Sequence, residues 1–496
     1  MKSMCRGLFL VILVCLPQFA RADLAGDMKT ILREKYLSKA DIGVAVARVD
    51  GAGSEPDVVY RFDSDIPLIP ASNLKVLTTS AFLDHFGPDF VFHTVLLRKG
   101  EDLYLIGDGD PTLGDAELLK KSGWGTTTMF NTWAEGLKKN GITTVRNVIV
   151  DDSVFDQQFI HPHWLARYAS ARYSAEIGGV NLNANCVDFY FKRTTPGELI
   201  NYVTDPPGTQ YVTVRNTCVT GNERETILGR QPGTNEINLS GACKYENTEP
   251  ASVTIEDPPM FAATVLAETL HQGGVRVSGL AMRDRTVRDQ HAKDPTGWTV
   301  VAAMDTKIQT VINRANKDSM NLYAECLCKR LGREISRQPG SWENGTAAVA
   351  AFLKSIGVAD GQYQLDDGCG LSRENNVSAD AMVKVLAHNF RGKNRDVFLA
   401  SLAVPGEEGT FKKRFNNNLR GRVFGKSGYV NSVSALSGYL KARDDHWYAF
   451  SILMNNVPPG TNDVAKSIQE KIVGAVDENV GAPTTAAPAP AAHSVN

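Results

Sequence analysis

The chain has almost no net charge: 53 Lys and Arg against 55 Asp and Glu leave −2 over 496 residues. It contains no long run of like charge, so neither the basic field of a nucleic-acid binder nor an acidic interaction tail is expected. After Leu16 no apolar stretch approaches the roughly 20 residues of a membrane-spanning helix, which excludes a transmembrane segment from the expectation. Histidine is scarce, with nine residues, and none is matched in spacing to Cys326, Cys328 and Cys369. A zinc centre is therefore the weaker reading of those cysteines, and His161-Pro162-His163 reads as a surface turn. No metal or other cofactor is expected. Internal repeats are also missing. What remains, 43% hydrophobic and 22% charged residues, is ordinary globular composition in a chain too long for one compact core, which suggests two to four domains.

The N-terminus is informative. Lys2 and Arg6 precede the apolar run Leu8 to Leu16, and Ala20-Arg21-Ala22 offers a small-x-small cleavage site before Asp23. This is the layout of a cleaved secretory signal over residues 1–22; Cys15 follows Val14, where a lipid-attachment signal needs a small residue. The mature chain is expected to be soluble and periplasmic or secreted. Without Cys5 and Cys15 it keeps Cys186, Cys218, Cys243, Cys326, Cys328 and Cys369. An even number in an oxidising compartment favours disulfides, with Cys218 and Cys243 a candidate local pair.

Hydrophobic patterning predicts a helix over 24–37, strands over 42–49 and 58–62, and a helix beginning near Ser72. A helix, a hairpin and a buried helix in succession suggest an α+β domain, with an antiparallel sheet flanked by helices. From about 96 to 298 short strands and turn clusters dominate and helices are few, the clearest being 133–139 and 261–271. Large β-rich inserted domains are expected there. Helical patterning returns at 305–313, 321–331, 345–356 and 379–390, followed by a hairpin of 433–441 with 447–454 and a last helix over 465–476. The expected organisation is a first domain of 23–95 and 299–480, one β-rich insertion of 96–118 and 209–298, and a second insertion of 119–208. Residues 481–496, rich in Ala and Pro, have too little to bury and read as a flexible tail.

Three short motifs carry the chemistry. In Pro70-Ala71-Ser72-Asn73-Leu74-Lys75, a helix start ended by Gly87-Pro88, Ser72 and Lys75 are three apart and share a face. That sets a hydroxyl beside an amine at a helix N-terminus, where orphan N–H groups favour developing negative charge. A serine needs such a base to be a nucleophile at neutral pH. Alone, the pattern equally fits a helix start with a solvated lysine. Ser319-Met320-Asn321 alone fits an N-cap, and Lys426-Ser427-Gly428 a strand-edge lysine beside a bulge glycine. The ordered set Ser-x-x-Lys, Ser-x-Asn, Lys-Ser-Gly behind a secretory signal is far harder to reach by accident, and it is the set of penicillin-binding proteins and serine β-lactamases.

About 250 residues separate Ser72 from Ser319, more than one compact domain needs. Together with Asp108-Gly-Asp-Pro-Thr-Leu113, Asp366-Asp-Gly-Cys-Gly-Leu-Ser-Arg373 and Gly409-Thr-Phe411, this resembles the class C low-molecular-mass penicillin-binding proteins, which are D-alanyl-D-alanine carboxypeptidases and endopeptidases. The resemblance covers about 40–457. It implies a penicillin-binding, β-lactamase-like domain and an acyl-serine reaction on peptidoglycan stem peptides, with β-lactams as covalent inhibitors. By the same resemblance, Ser72 is the nucleophile, Lys75 its base, Ser319 a proton relay, and Asn321 an orienting amide. Lys426 and Ser427 would hold the substrate carboxylate and Gly428 would let substrate lie along the strand. Backbone N–H groups of Ser72 and Tyr429 would form the oxyanion hole, and Arg373 would bind the carboxylate of the diamino-acid side chain, with Tyr173 and Trp164 walling that pocket. Several residues depart from the family pattern. Ser427 replaces threonine, Tyr429 replaces a small polar residue, and Cys369 stands where serine is usual, which suggests a disulfide to Cys326 or Cys328. The family's acidic residue in the inserted region has no clear counterpart. A serine β-lactamase or esterase of the same fold, or a catalytically silent peptidoglycan-binding protein, stays open as an alternative.

Overall fold

The computed structural model describes residues 23–480 apart from 54, 224, 416 and 417; the expected signal and tail lie outside the described residues. Helix α1 (Leu24–Leu32) leads into strands β1 (Asp41–Arg48) and β2 (Asp57–Phe62), and a 3₁₀ turn over Ala71–Asn73 opens α2 (Leu74–Phe86). Strands β3 (Val91–Lys99), β4 (Asp102–Ile106), β5 (Val148–Asp151), β6 (Ala281–Arg283) and β7 (Trp298–Lys307) then belong to the insertion. The chain returns through α3 (Ile308–Asn316), α4 (Asn321–Ser336), α5 (Trp342–Ser355) and α6 (Ala379–Arg391). It ends on β8 (Val423–Val430), β9 (Val433–Lys441), β10 (Trp447–Asn455) and α7 (Asn462–Asn479).

The first sheet has the order β8-β9-β10-β1-β2, antiparallel throughout. Its central strands are apolar on both faces, and the two-residue period of a strand decides where each side chain goes. Val44, Val46, Leu436, Leu440, Phe450 and Ile452 join Ile468 and Ile472 of α7 in one core. The alternating residues Ala45, Ala47, Ala435, Tyr439, Ala449 and Leu453 join Leu386 and Phe390 of α6 and Leu74 and Leu77 of α2 in the other. The expected α+β architecture, a sheet between helical layers, is therefore the observed one. Because β8 is an edge strand, one of its sides is open to the start of α2, against which it packs.

The insertion leaves through β3 and returns through β7, and these strands pair with each other from Val91↔Lys307 to Trp298↔Lys99. A strand therefore runs through Lys307 where the sequence predicts a helix from 305; pairing with β3 holds the segment extended until Ile308. The inserted sheet has the order β6-β5-β4-β3-β7. Smaller sheets join Cys186–Lys192 with Asn201–Asp205 and Ala251–Thr254, and Glu236–Cys243 with Thr226–Arg230. One apolar core runs through all of them, from Leu96 and Leu105 through Val150, Phe189 and Ile237 to Phe261. The strands thus group segments differently from the two insertions written above, because β5 pairs in parallel with both β4 and β6, and no local pattern reveals such distant partners.

The cysteines correct an expectation. All six are buried free thiols among the described residues. Asn181 Nδ2 lies 3.5 Å from Cys326 Sγ, the Cys243 thiol donates to Tyr245 O at 3.1 Å, and Cys369 Sγ faces Asp367. The pairs Cys218–Cys243 and Cys369 with Cys326 or Cys328 are not formed, and the last three thiols do not converge on one point as a zinc site needs.

Buried ion pairs fasten the insertion to the first domain. Asp115 is fully buried and takes two bonds from Arg314 Nη2, at 2.9 and 3.1 Å, and one from Tyr323 Oη at 2.5 Å. The nearby guanidinium holds the Asp115 carboxyl below its ordinary range against the opposing effect of burial. Lys329 pairs with Asp156 at 2.8 Å. Removing one member of a buried pair strands the other charge, at a cost of about 3–5 kcal/mol. Arg314→Ala is expected to lower the thermal midpoint by several degrees, whereas Lys412→Ala, in an exposed pair, leaves it unchanged; equal midpoints would disprove the fastening role.

Candidate active site

Ser72 lies in the 3₁₀ turn that opens α2, preceded by Ala71 in the left-handed region at φ 46°. Two glycines make room for this turn. Gly370, at φ 84°, sits so close that an added Cβ would lie 1.9 Å from Ala71 O. A Cβ on Gly428 of β8 would lie 2.7 Å from Pro70 O and 3.0 Å from Ser72 N. Glycine at 428 is what allows the edge strand to approach the Ser72 turn.

Lys75, one helical turn on, is fully buried. Its Nζ contacts Ser72 Oγ at 2.9 Å, Asn321 Oδ1 at 2.7 Å and Cys369 O at 2.8 Å. An amide oxygen and a peptide carbonyl can only accept, so a neutral amine donates its two N–H bonds to them and turns its lone pair toward the serine hydroxyl. Asn321 cannot flip out of this arrangement, because its Nδ2 donates to Tyr173 O at 2.6 Å. Burial lowers the Lys75 pKa, opposed by the negative charge potential of Cys369, Asp367 and Glu325.

The second lysine forms a parallel pair. Lys426 is fully buried on β8, and its Nζ donates to Ser319 Oγ and to Ser427 O, each at 2.7 Å. Burial, then repulsion by Lys75, holds its pKa well below that of a free lysine. Ser319 has a left-handed backbone, φ 59°, in the turn between α3 and α4. That turn is fixed from both sides: Met320 N donates to Arg314 O, and Arg314 also pairs with Asp318 at 2.7 Å.

The structure therefore brings Ser72, Lys75, Ser319, Asn321 and Lys426 together. Ser427 is half-buried and Gly428 buried along β8, and Tyr429 is exposed at the mouth. Arg373 is exposed and donates to Asn431 O at 2.9 Å, just past the end of β8. The Tyr173 ring is exposed beside Tyr168, their centroids 5.4 Å apart. Trp164 is a correction: it is buried, donates Nε1 to Asp367 at 2.9 Å, and packs on Trp342 rather than walling the mouth. Apolar burial and a partner for the indole N–H both favour that interior position.

The sequence reading missed the two backbone acceptors, Cys369 O and Tyr173 O, which no side-chain motif can mark. It also gave no role to the buried carboxylates Glu325 and Asp367, although Asp367 lies within the motif ending at Arg373. For Glu325 a signal existed, since it stands four residues after Asn321 on the same helix face.

Two clusters have the composition of metal sites: His161, His163 and Asp366, and Glu325, Asp367 and Cys369. In the first, His161 Nδ1 accepts from the His163 N–H at 3.2 Å, which leaves the proton on Nε2, 2.9 Å from Asp366 O. A metal would need that nitrogen bare, so the hydrogen bonds suit a clasp between insertion and loop. His163 Nδ1 completes the clasp on the Asp366 carboxylate at 2.9 Å, and this contact raises its pKa. The second cluster is committed to backbone donors: Glu325 accepts from Gly368 N, and Asp367 from Gly370 N and Ser372 N.

Comparison with known proteins places this geometry. The model of the D-Ala-D-Ala carboxypeptidase 3 (S13) family matches residues 24–479. The D-alanyl-D-alanine carboxypeptidase of Actinomadura sp. (strain R39) is 30% identical over 458 residues, 87% of this chain and 81% of that protein. The D-alanyl-D-alanine carboxypeptidase DacB of Haemophilus influenzae is 22% identical over 477 residues, 90% of each chain. In fold, the crystal structure of penicillin binding protein 4 (dacB) from Haemophilus influenzae is similar with a TM-score of 0.72 at 21% identity, covering 90% of this chain and 97% of that one. With a family match over nearly the whole described chain, the protein belongs to the D-Ala-D-Ala carboxypeptidase 3 (S13) family, serine-type carboxypeptidases among the class C low-molecular-mass penicillin-binding proteins.

Proposed function

We propose that the protein is exported and that it cleaves D-Ala-D-Ala termini and D,D cross-links of peptidoglycan peptides through an acyl-Ser72 intermediate, and that β-lactams acylate the same serine. The observation that carries this reading is the Lys75 amine, buried and held by Asn321 Oδ1 and Cys369 O with Ser72 Oγ at 2.9 Å. Export rests on the sequence of residues 1–22; among the described residues no helix is long and apolar enough to cross a membrane.

In the proposed reaction Lys75 takes the Ser72 proton as Oγ attacks the scissile carbonyl. The oxyanion meets the backbone N–H groups of Ser72 and Tyr429. The C–N bond breaks as the leaving amine takes a proton relayed through Ser319, leaving the peptide esterified to Ser72. Water then hydrolyses the ester, releasing the acid and restoring the serine hydroxyl. A free D-alanine or a cross-linked D-amino acid can be the leaving amine, so one acyl-enzyme serves both cleavages. Lys426 is held toward its neutral form in the empty site; a substrate carboxylate placed beside it favours the charged form, with the Ser427 hydroxyl as a further donor. Arg373 lies at the same mouth and is assigned to the carboxylate of the diamino-acid side chain.

Four outcomes are expected. A fluorescent penicillin labels wild type covalently and fails to label Ser72→Ala; equal labelling of both would remove Ser72 from the mechanism. Digested muropeptides should release D-alanine and lose cross-links with wild type but not with Ser72→Ala, whereas rapid nitrocefin turnover without D-alanine release would support a β-lactamase. Asn321→Ala should slow acylation by about 10²-fold, the scale of a general-base contribution, without loss of folding. The pH profile has a defined sign: only neutral Lys75 can accept the proton, so acylation rises with pH through the lysine's lowered pKa. A rate independent of pH on the acid side would exclude Lys75 as the base.

A further inference from the structure

The Cys369 carbonyl that receives the Lys75 N–H belongs to a loop hung on two buried carboxylates. Asp367 serves the loop itself: it accepts from Gly370 N and Ser372 N at 2.7 Å, from Asn375 Nδ2 at 2.9 Å, and from Trp164 Nε1 at 2.9 Å. Glu325 comes from elsewhere. It projects from α4 one turn after Asn321, is fully buried, and accepts from Gly368 N at 2.9 and 3.1 Å and from Trp342 Nε1 at 2.8 Å. The carbonyl of the same Gly368 takes the Thr78 hydroxyl at 2.6 Å. The residue before Cys369 is thus clamped between α2 and α4, the helices that carry Lys75 and Asn321.

We propose that Glu325 is a positioning residue for Lys75, holding the Cys369 carbonyl against the amine and supplying the negative charge that keeps this enclosed lysine basic enough to take the Ser72 proton. The proposal rests on the reading of Lys75 as the base. The groups that face Glu325 are Lys75 from α2, Asp367 and Cys369 from the loop, and Cys326, Cys328 and Lys329 on its own helix. From the insertion, His161 packs on Trp342 and faces Asp366 and Asp367. Burial first, then Asp367, pushes the Glu325 carboxyl up to about 7. Its charge therefore changes within the working range, and when charged it is one of the negative groups that oppose the effect of burial on Lys75. Without that charge, burial of Lys75 is less opposed: the amine stays neutral to lower pH but becomes a weaker base, and a general base loses rate as its pKa falls.

Glu325→Gln keeps the shape and an acceptor for Gly368 N while removing the charge. Acylation by a fluorescent penicillin, followed against pH, should show the acid limb displaced to lower pH across the range in which wild-type Glu325 is charged, the direction expected when a negative charge facing the amine is lost. The plateau should fall severalfold. A Gln profile superimposable on wild type would overturn the inference and leave the proposed function standing, while a wild type that is never acylated would overturn the function itself. If Glu325→Gln is not recovered folded, Glu325→Asp carries the test. A shorter carboxylate keeps the charge but loosens the clamp, so an unmoved acid limb with a lower plateau supports the proposal, and any other profile refutes it.

Discussion

A primary amine with no exposed surface, surrounded by three oxygen atoms, is the arrangement on which the rest of this protein depends. Water would hold such a group charged; enclosure disfavours the charge, and two of the oxygens can only accept, so the neutral lysine has one orientation left for its lone pair. Each of those acceptors must then be immobile. Asn321 Oδ1 is fixed because its Nδ2 is bonded to Tyr173 O, on a turn of the insertion. Cys369 O is fixed because its loop is tied to Asp367, Glu325 and Asn375. The proposed proton transfer therefore depends on α2, α4, the 366–375 loop and the inserted domain at once.

This dependence explains where the buried charge of the molecule is spent. The first domain's apolar core takes in Val154, Phe155, Trp164 and Ile177 of the insertion, and polar contacts frame that join: Asp115 with Arg314, Asp156 with Lys329, Asp108 with Arg330, and Trp164 with Asp367. Buried ion pairs add little net stability compared with apolar packing, but they tolerate only one geometry. Arg314 illustrates the use made of that property. It pairs with Asp115 of the insertion and Asp318 beside Ser319, so the position of Ser319, the proposed relay, is set partly by a residue some 200 positions away in the sequence.

How much of this could be read from the sequence depended on whether a feature was local. Helix periodicity and turn residues located α2, α5, α6 and the β9–β10 hairpin to within a few residues, because those signals lie inside the element. Ser72, Lys75, Ser319, Asn321 and Lys426 could be singled out because side-chain identity is what the proposed chemistry requires, and the fold brings them together. The parallel pairings of β5 with β4 and β6 were not, since they join segments more than 40 residues apart without a local mark. The Cys369 and Tyr173 carbonyls were invisible for another reason: a backbone acceptor belongs to every residue. Trp164 was assigned to the pocket by resemblance, and only its indole bond to Asp367 shows that it faces the interior. The cysteine count suggested bridges, while the fold sends the thiols Cys326 and Cys369 to different partners.

Two of the left-handed residues, Ala71 and Ser319, flank the site. Each precedes a helix that carries part of the amine's surroundings, and each costs on the order of 1–3 kcal/mol relative to relaxed backbone. The surroundings leave them no alternative. Gly370 presses against Ala71 O from one side and Gly428 approaches Pro70 O from the other, while Arg314 O captures Met320 N immediately after Ser319. Relaxing either residue would rotate the following hydroxyl or amide away from its lysine, Ser72 from Lys75 or Asn321 from the same amine. The edge strand β8 can press so close only because position 428 has no side chain, and the adjacent Tyr429 is directed outward to the mouth. Strain at the two turns and the absence of a Cβ on the strand are thus one constraint seen from opposite sides: both hold two buried lysines within hydrogen-bond reach of Ser72 and Ser319.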